Sequence, residues 1–289
     1  HIPWPNPESF GICPWREELL QGMLGSTILG FHTPFHCKNF LETVDRCLET
    51  RIEHASSTIF HGGQLTLVQD YPISIQWLPE WQGSLPSVEQ TAGEIRAELG
   101  LPSEQLLGIG VDRMDYTKGI LERLAAVERM LELHPELVGR FSFVQIAAPS
   151  RSALEEYHAF EQRVYRLTER INQRFPGAVI LKAEHHEPDQ VNRYYRASNV
   201  CMVTSLHDGM NLVAKEFVAA RDDERGVLVL SQFTGAANEL HEALIVNPYH
   251  VEQTAEALYQ GLTMPEFEQR ERMRSMRALV QDFNVYRWA

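Results

Sequence analysis

The sequence predicts an α/β fold: a parallel sheet with helices on both faces, preceded by a smaller mixed region. Three observations lead there. From about residue 87 onward, short apolar runs alternate with longer amphipathic stretches. The runs are short and largely continuous in apolar residues, as strands covered on both faces should be, and their alternation with helices implies parallel order. The length of 289 residues allows one large or two ordinary domains. Residues 78–90 hold Pro79, Gly83, Pro86 and Ser87, which reads as a linker. The expected division is residues 1–80 and 81–289.

Taken in order, "HIPWPNPESF" reads as a strand end passing into a loop. "WREELLQGMLG" and "KNFLETVDRCLETR" have apolar residues at three- and four-residue spacing and read as helices. "ILGFH", "QLTLVQ" and "YPISIQW" read as short strands. Ser87 caps a helix over "VEQTAGEIRAEL", and Gly100 closes it. The strands that follow are "LLGIGV", "RFSFVQIAA", "AVILKAE", "NVCMVTS", "VLVLSQ" and "ALIVNP". Helices between them include "GILERLAAVERMLELH" and "SALEEYHAFEQRVYRLTERINQRF". In the second, Leu154, Tyr157, Val164, Leu167 and Ile171 share one face. A last helix runs through "PEFEQRERMRSMRALVQDF". No internal repeat or low-complexity segment interrupts the pattern.

Composition narrows the function. Apolar residues make up 44% and charged residues 22%, the balance of a globular protein. The net charge of −13 argues against nucleic acid or an anionic membrane as partner. Cys13, Cys37, Cys47 and Cys201 form no CxxC pair. They read as buried free thiols in a reducing compartment, so a cytoplasmic location is expected. No apolar run reaches the roughly 18 residues of a membrane span, and no signal peptide is visible.

Two stretches sit at strand ends, where doubly wound sheets bind ligands. "GVDRMDYTKG" follows "LLGIGV" and places Arg113 and Lys118 on one loop, with Gly119 opening a helix. Two cations there suit a diphosphate: arginine forks onto its oxygens and lysine acts as a point charge. The alternative makes both solvated loop charges neutralised by Asp112 and Asp115. Spacing alone leaves the two readings open.

"SLHDGMNLVAKEF" follows "NVCMVT". Gly209 lets backbone pass close to a ligand. The first helical turn, "MNLV", carries no charge, so its N–H groups and the helix dipole favour an anion, with a phosphate in place of a capping side chain. Asp208 is placed to accept from sugar hydroxyls, and Glu216 from a ribose. The alternative reading is an N-cap at Asp208 and a surface charge at Glu216. Together the two stretches describe a nucleotide-sugar site. No G-x-G-x-x-G follows a strand and no P-loop occurs. "EHHEPD" resembles a metal motif, but adjacent histidines on a strand cannot both face one ion.

With "HIPWP" and "VLVLSQFTGAANEL", these stretches make the chain resemble the trehalose-6-phosphate synthase family of retaining glycosyltransferases over nearly its whole length. The resemblance implies the GT-B fold: one Rossmann-like domain plus part of a second. It implies glucose transfer from a nucleotide-glucose to glucose 6-phosphate, with no cofactor and no metal. By the same resemblance Arg113 and Lys118 hold the donor diphosphate. Asp208 and His1 contact the transferred glucose. Backbone at Gly209, Met210, Asn211 and Leu212 holds sugar and phosphate, and Glu216 the ribose. His185 and His186 lie by the base, and Arg151 near the acceptor phosphate. The catalytic set is Arg113, Lys118 and Asp208.

The departures are specific. The family begins well before "HIPWP", with a glycine-rich loop and further acceptor residues. His207 stands in place of the usual arginine and His186 in place of an aromatic, and the last helix stops after "VYRWA". A fragment is therefore expected, with no trehalose 6-phosphate synthesis by residues 1–289 alone. Two alternatives stay open. One is a related synthase using another acceptor, such as glycerol 3-phosphate. The other is a non-catalytic nucleotide-sugar-binding module. The expected partners are nucleotide-glucose and a sugar phosphate, and self-association is compatible with the sequence.

Overall fold

The computed structural model describes residues 3–78, 85–150 and 154–289. The chain divides into two compact units, residues 1–73 with Trp288 and residues 74–287 with Ala289. The middle of the expected linker, residues 79–84, lies outside the described residues.

The first unit contains α1 (Pro7–Gly11), α2 (Arg16–Met23), β1 (Ile28–Phe31), α3 (Pro34–Cys47), β2 (Arg51–Glu53), β3 (Thr58–His61) and β4 (Gln64–Asp70). Its sheet has the order β1-β4-β3-β2, with β1 parallel to β4 and the other pairs antiparallel. The helices pack Leu20, Leu24, Phe40 and Val44 against Ile59 and Val68.

Three expectations need correction here. Residues 7–11, read as loop, form a short helix: the Asn6 side chain accepts from Ser9 N at 2.8 Å and Pro7 opens the turn. "YPISIQW" is not a strand. Tyr71 N still donates to Phe31 O, but Pro72 then brings no donor to the ladder. The β2–β3 hairpin went unread because "TIFH" is short and follows the polar "EHASS".

The second unit contains α4 (Val88–Glu98), β5 (Leu106–Arg113), α5 (Ile120–Leu133), β6 (Phe141–Ala148), α6 (Glu155–Arg174), β7 (Val179–Lys182), α7 (Pro188–Ala197) and β8 (Val200–Val203). It continues with α8 (Leu212–Ala220), β9 (Val227–Ser231), β10 (Leu244–Val246), α9 (Val251–Thr263) and α10 (Glu266–Asp282). All six strands read from the sequence are present and parallel, in the order β10-β9-β8-β5-β6-β7. Ser87 caps α4 through Gln90 N at 3.2 Å, as expected. Strands β8 and β9 are buried at every position. Phe141, Phe143, Val200, Met202 and Val229 form a core with Leu124, Val127, Met130, Val164 and Leu258 from the helices.

Strands β5, β6 and β7 step one way across the sheet, and β8 returns to the other side of β5. That reversal opens a crevice beyond the carboxyl ends of β5 and β8, where open α/β sheets bind ligands. Among the described residues, no helix is long and apolar enough to cross a membrane. The four cysteines are free thiols; Cys37 and Cys201 are buried as expected, whereas Cys13 and Cys47 are only partly covered.

Candidate active site

Arg113 is the last residue of β5. Beyond it, Asp115 Oδ1 accepts from Thr117 N at 2.9 Å and from Thr117 Oγ1 at 2.8 Å, which winds a single 3₁₀ turn. Gly119 follows at φ +65°, a left-handed conformation costly to any residue with a Cβ, and α5 begins. The guanidinium of Arg113 is largely exposed and 3.6 Å from Asp115 Oδ2. Lys118 points elsewhere, its Nζ 2.6 Å from Asp208 Oδ2. The direct ion-pair partner of Asp112 is neither of these cations: it is buried against Arg123 Nη1 at 2.5 Å.

The loop from Thr204 to Asn211 is held by main-chain bonds on both flanks. Leu206 N donates to Thr117 O at 2.8 Å, and Asp208 N to Phe233 O at 3.1 Å. Gly235 N donates to Asp208 O at 3.1 Å, and Ala236 N to Met210 O at 2.8 Å. Such close approach requires glycine twice. A Cβ on Gly119 would lie 2.1 Å from Thr204 O, and one on Gly235 would lie 2.1 Å from Gly209 O.

The capping question resolves against Asp208. Helix α8 is capped by Asn211, whose Oδ1 accepts from Ala214 N at 3.1 Å. Asn211 sits at φ +93°, in the positive range that asparagine tolerates better than most residues. The expectation that a phosphate replaces a capping side chain is thereby corrected. Asp208 instead gathers donors: besides Lys118, Asn211 Nδ2 reaches its Oδ2 at 3.1 Å. No acidic residue occupies the first turn of α8.

Glu216 opens onto a cleft of about 610 Å³, which His185, His186, Tyr195 and Val111 also line. Tyr195 Oη donates to Glu216 Oε2 at 3.2 Å. The carboxylate meets solvent through the cleft, but the surrounding walls displace much of its water. This desolvation raises its pKa above the ordinary glutamate value, and the Tyr195 bond opposes the shift. The His186 ring lies edge-on to Tyr194, with centroids 5.9 Å apart. The structure thus brings His185, His186 and Glu216 to one cleft. Val111, two residues before Arg113 on β5, and helix α8 connect that cleft to the loop carrying Asp208. His1 and Arg151 lie outside the described residues.

One residue of this machinery escaped the sequence reading. Arg123 is fully buried. Its Nε donates to Thr204 Oγ1 at 2.9 Å, its Nη1 to Gln145 Oε1 at 2.9 Å, and its Nη2 to Lys118 O at 3.2 Å. It therefore ties the ends of β5, β6 and β8 to the turn that carries Lys118. The signal was present: Arg123 falls on the apolar face of α5, with Ile120, Leu124 and Val127. Lys215 is a second buried cation, paired with Glu239 at 2.8 Å. Burial lowers its pKa and Glu239 opposes that shift.

Comparison with known proteins bears on family and fold. Residues 1–289 match the model of Glycosyltransferase family 20. The alpha,alpha-trehalose-phosphate synthase (UDP-forming) of Pichia angusta is 38% identical over 293 residues, spanning all of this chain and 61% of its own length. The trehalose-6-phosphate synthase of Mycolicibacterium vanbaalenii is 40% identical over 305 residues, again across the whole chain and 61% of its own. Among solved structures, the Burkholderia xenovorans alpha,alpha-trehalose-phosphate synthase (UDP-forming) in complex with glucose-6-phosphate aligns with a TM-score of 0.91 at 33% identity. The match covers all of this chain and 65% of that one. A structure described as trehalose-6-phosphate from E. coli bound with UDP-2-fluoro glucose aligns at 0.92 and 35%, covering all of this chain and 64% of that one. The chain spans about three fifths of the length of these relatives. The expected GT-B fold class is shown by the two superpositions.

Proposed function

The chain belongs to glycosyltransferase family 20, and from that membership we propose that its protein transfers glucose from a nucleotide-glucose to glucose 6-phosphate, forming trehalose 6-phosphate with retention. One observation carries the reading. Lys118 and Asp208 meet at the β5–β8 reversal near a capped helix start, with Arg113 at the end of β5 and a cleft lined by Glu216 beside α8. That sequence of groups suits a diphosphate, a hexose and a ribose in turn. The UDP-forming relatives support UDP as the leaving nucleotide.

The chemistry follows from where charge develops. As the bond to the anomeric carbon breaks, negative charge grows on the departing diphosphate. Arg113, Lys118 and the start of α8 offer donors to that charge, and a donor held before the substrate arrives, as Lys118 is, stabilises a transition state with little reorganisation. Asp208 accepts from hydroxyls of the glucose and holds its orientation. The acceptor hydroxyl attacks from the face the nucleotide leaves and passes its proton to the departing phosphate. Glu216 takes the ribose, and His185 with His186 flanks the base. His1 on the glucose and Arg151 on the acceptor phosphate are roles drawn from the resemblance alone.

The test is direct. The full-length protein, given UDP-glucose and glucose 6-phosphate, is expected to release UDP and α-linked trehalose 6-phosphate. Preferred transfer to glycerol 3-phosphate, or UDP-glucose binding without transfer, would overturn the assignment.

A further inference from the structure

A carboxylate that reads a vicinal diol must be held in rotation as well as in place. The last torsion of glutamate is broad and roughly two-fold, so position on α8 alone leaves Glu216 free to turn. Tyr195 supplies the missing constraint. It stands on α7, which enters through a capping box between Glu187 and Gln190. Its ring is buried and lies edge-on to Phe217, the neighbour of Glu216, with centroids 6.2 Å apart.

We infer that Tyr195 is a positioning residue for ribose recognition: its Oη fixes Glu216 Oε2, leaving the other acceptor sites of the carboxylate to the 2′- and 3′-hydroxyls of a ribonucleotide. The inference rests on Glu216 being the ribose carboxylate. The 3.2 Å bond has a defined direction. Burial, and the Glu216 charge beside it, raise the Tyr195 pKa well above its ordinary value, so the phenol keeps its proton and donates. Glu216 must then accept. An ionised carboxylate offers about four acceptor sites; Tyr195 takes one, and three remain for two hydroxyls. Both residues line the same cleft, so the diol enters where the bond already sits.

Calorimetry on the full-length protein tests this, with UDP and 2′,3′-dideoxy-UDP as ligands. Wild type is expected to favour UDP by about tenfold or more, the scale of one charge-assisted hydrogen bond. Tyr195→Phe keeps the ring and its packing. It should cut that preference to roughly a third or less, with affinity for the dideoxy ligand changed less than about twofold. Unchanged dideoxy binding also shows that the variant folds. Glu216→Gln separates the premise from the inference. If Glu216→Gln loses the preference and Tyr195→Phe keeps it, the Tyr195 role falls and the ribose assignment stands. If wild type does not distinguish the ligands, or binds neither, both fall.

Discussion

Lys118 Nζ and Asp208 Oδ2, 90 positions apart in sequence, meet at 2.6 Å across the crevice between β5 and β8. Both side chains are mostly enclosed, at 18% and 16% exposure, so the contact is more than a solvated surface pair. In the proposed reaction one partner serves the diphosphate and the other the sugar. Each holds the other in place before a substrate arrives, and a donor that enters exchanges partners without first ordering them.

Asp208→Asn is the sharpest probe of that arrangement. Asn211 caps α8, so the substitution leaves the helix start intact. Loss of the charge opposite Lys118 is expected to cost about 1–3 kcal/mol in stability. Turnover in the full-length protein should fall further, by about 100-fold or more. Melting temperature and rate, measured on the same preparation, separate the two effects. A wild-type rate would remove Asp208 from the mechanism.

Arg113 is the opposite case. It is exposed and only loosely paired with Asp115, so Arg113→Ala should barely change the melting temperature. Its affinity for UDP should nevertheless drop by about tenfold or more, reflecting roughly 1.5–3 kcal/mol of charge-assisted bonding. Titration with UDP, ADP and GDP checks this, and equal heats for wild type and variant would sink the diphosphate assignment.

Gly119 and Gly235 test the clamp on the Asp208 loop. An added Cβ at either would lie 2.1 Å from a backbone carbonyl oxygen, which has no flexible end to swing away. Gly119→Ala and Gly235→Ala are expected to destabilise by about 2–4 kcal/mol and to weaken UDP binding as well. A control at Gly93, where a Cβ meets nothing within 4 Å, should fold at least as well as wild type.

Glu216 predicts opposite pH trends for stability and binding. Its folded pKa lies above the ordinary value, so the folded protein holds that proton more tightly than the unfolded chain. The contribution to stability is therefore complete below the ordinary glutamate range and is lost as pH rises through the raised value. Glu216→Gln should accordingly melt higher than wild type at neutral pH, with the gap closing in acid. UDP affinity should fall in wild type as pH drops through the raised value, and stay flat in the variant. A variant that melts lower at neutral pH would contradict the desolvated setting of this carboxylate.

The six strands of the parallel sheet were legible because burial on both faces leaves a plain mark, an unbroken apolar run such as "VLVLS". "YPISIQW" carried a different strand mark, apolar–polar alternation, without being a strand, because a strand also needs a partner, and pairing is not written locally. Asp208 and Asn211 are both good caps, so composition cannot choose between them; the backbone at Asn211 decides it. Arg113, Lys118 and Glu216 stood out by type and spacing. The Lys118–Asp208 pair did not, since it depends on which strands become neighbours. Arg123 hid behind a default assumption that helix arginines face water, although its place among Ile120, Leu124 and Val127 contradicted it.

The tethering of the Thr204–Asn211 loop through main-chain atoms has an evolutionary consequence. Carbonyls and amides are the same in every residue, so the bonds at Leu206, Asp208 and Met210 do not themselves use the side chain of His207, the exposed residue among them. The resemblance places an arginine there. An exchange between the two alters what the mouth of the crevice offers to an incoming molecule, while the same main-chain bonds remain available to keep Asp208 beside Lys118.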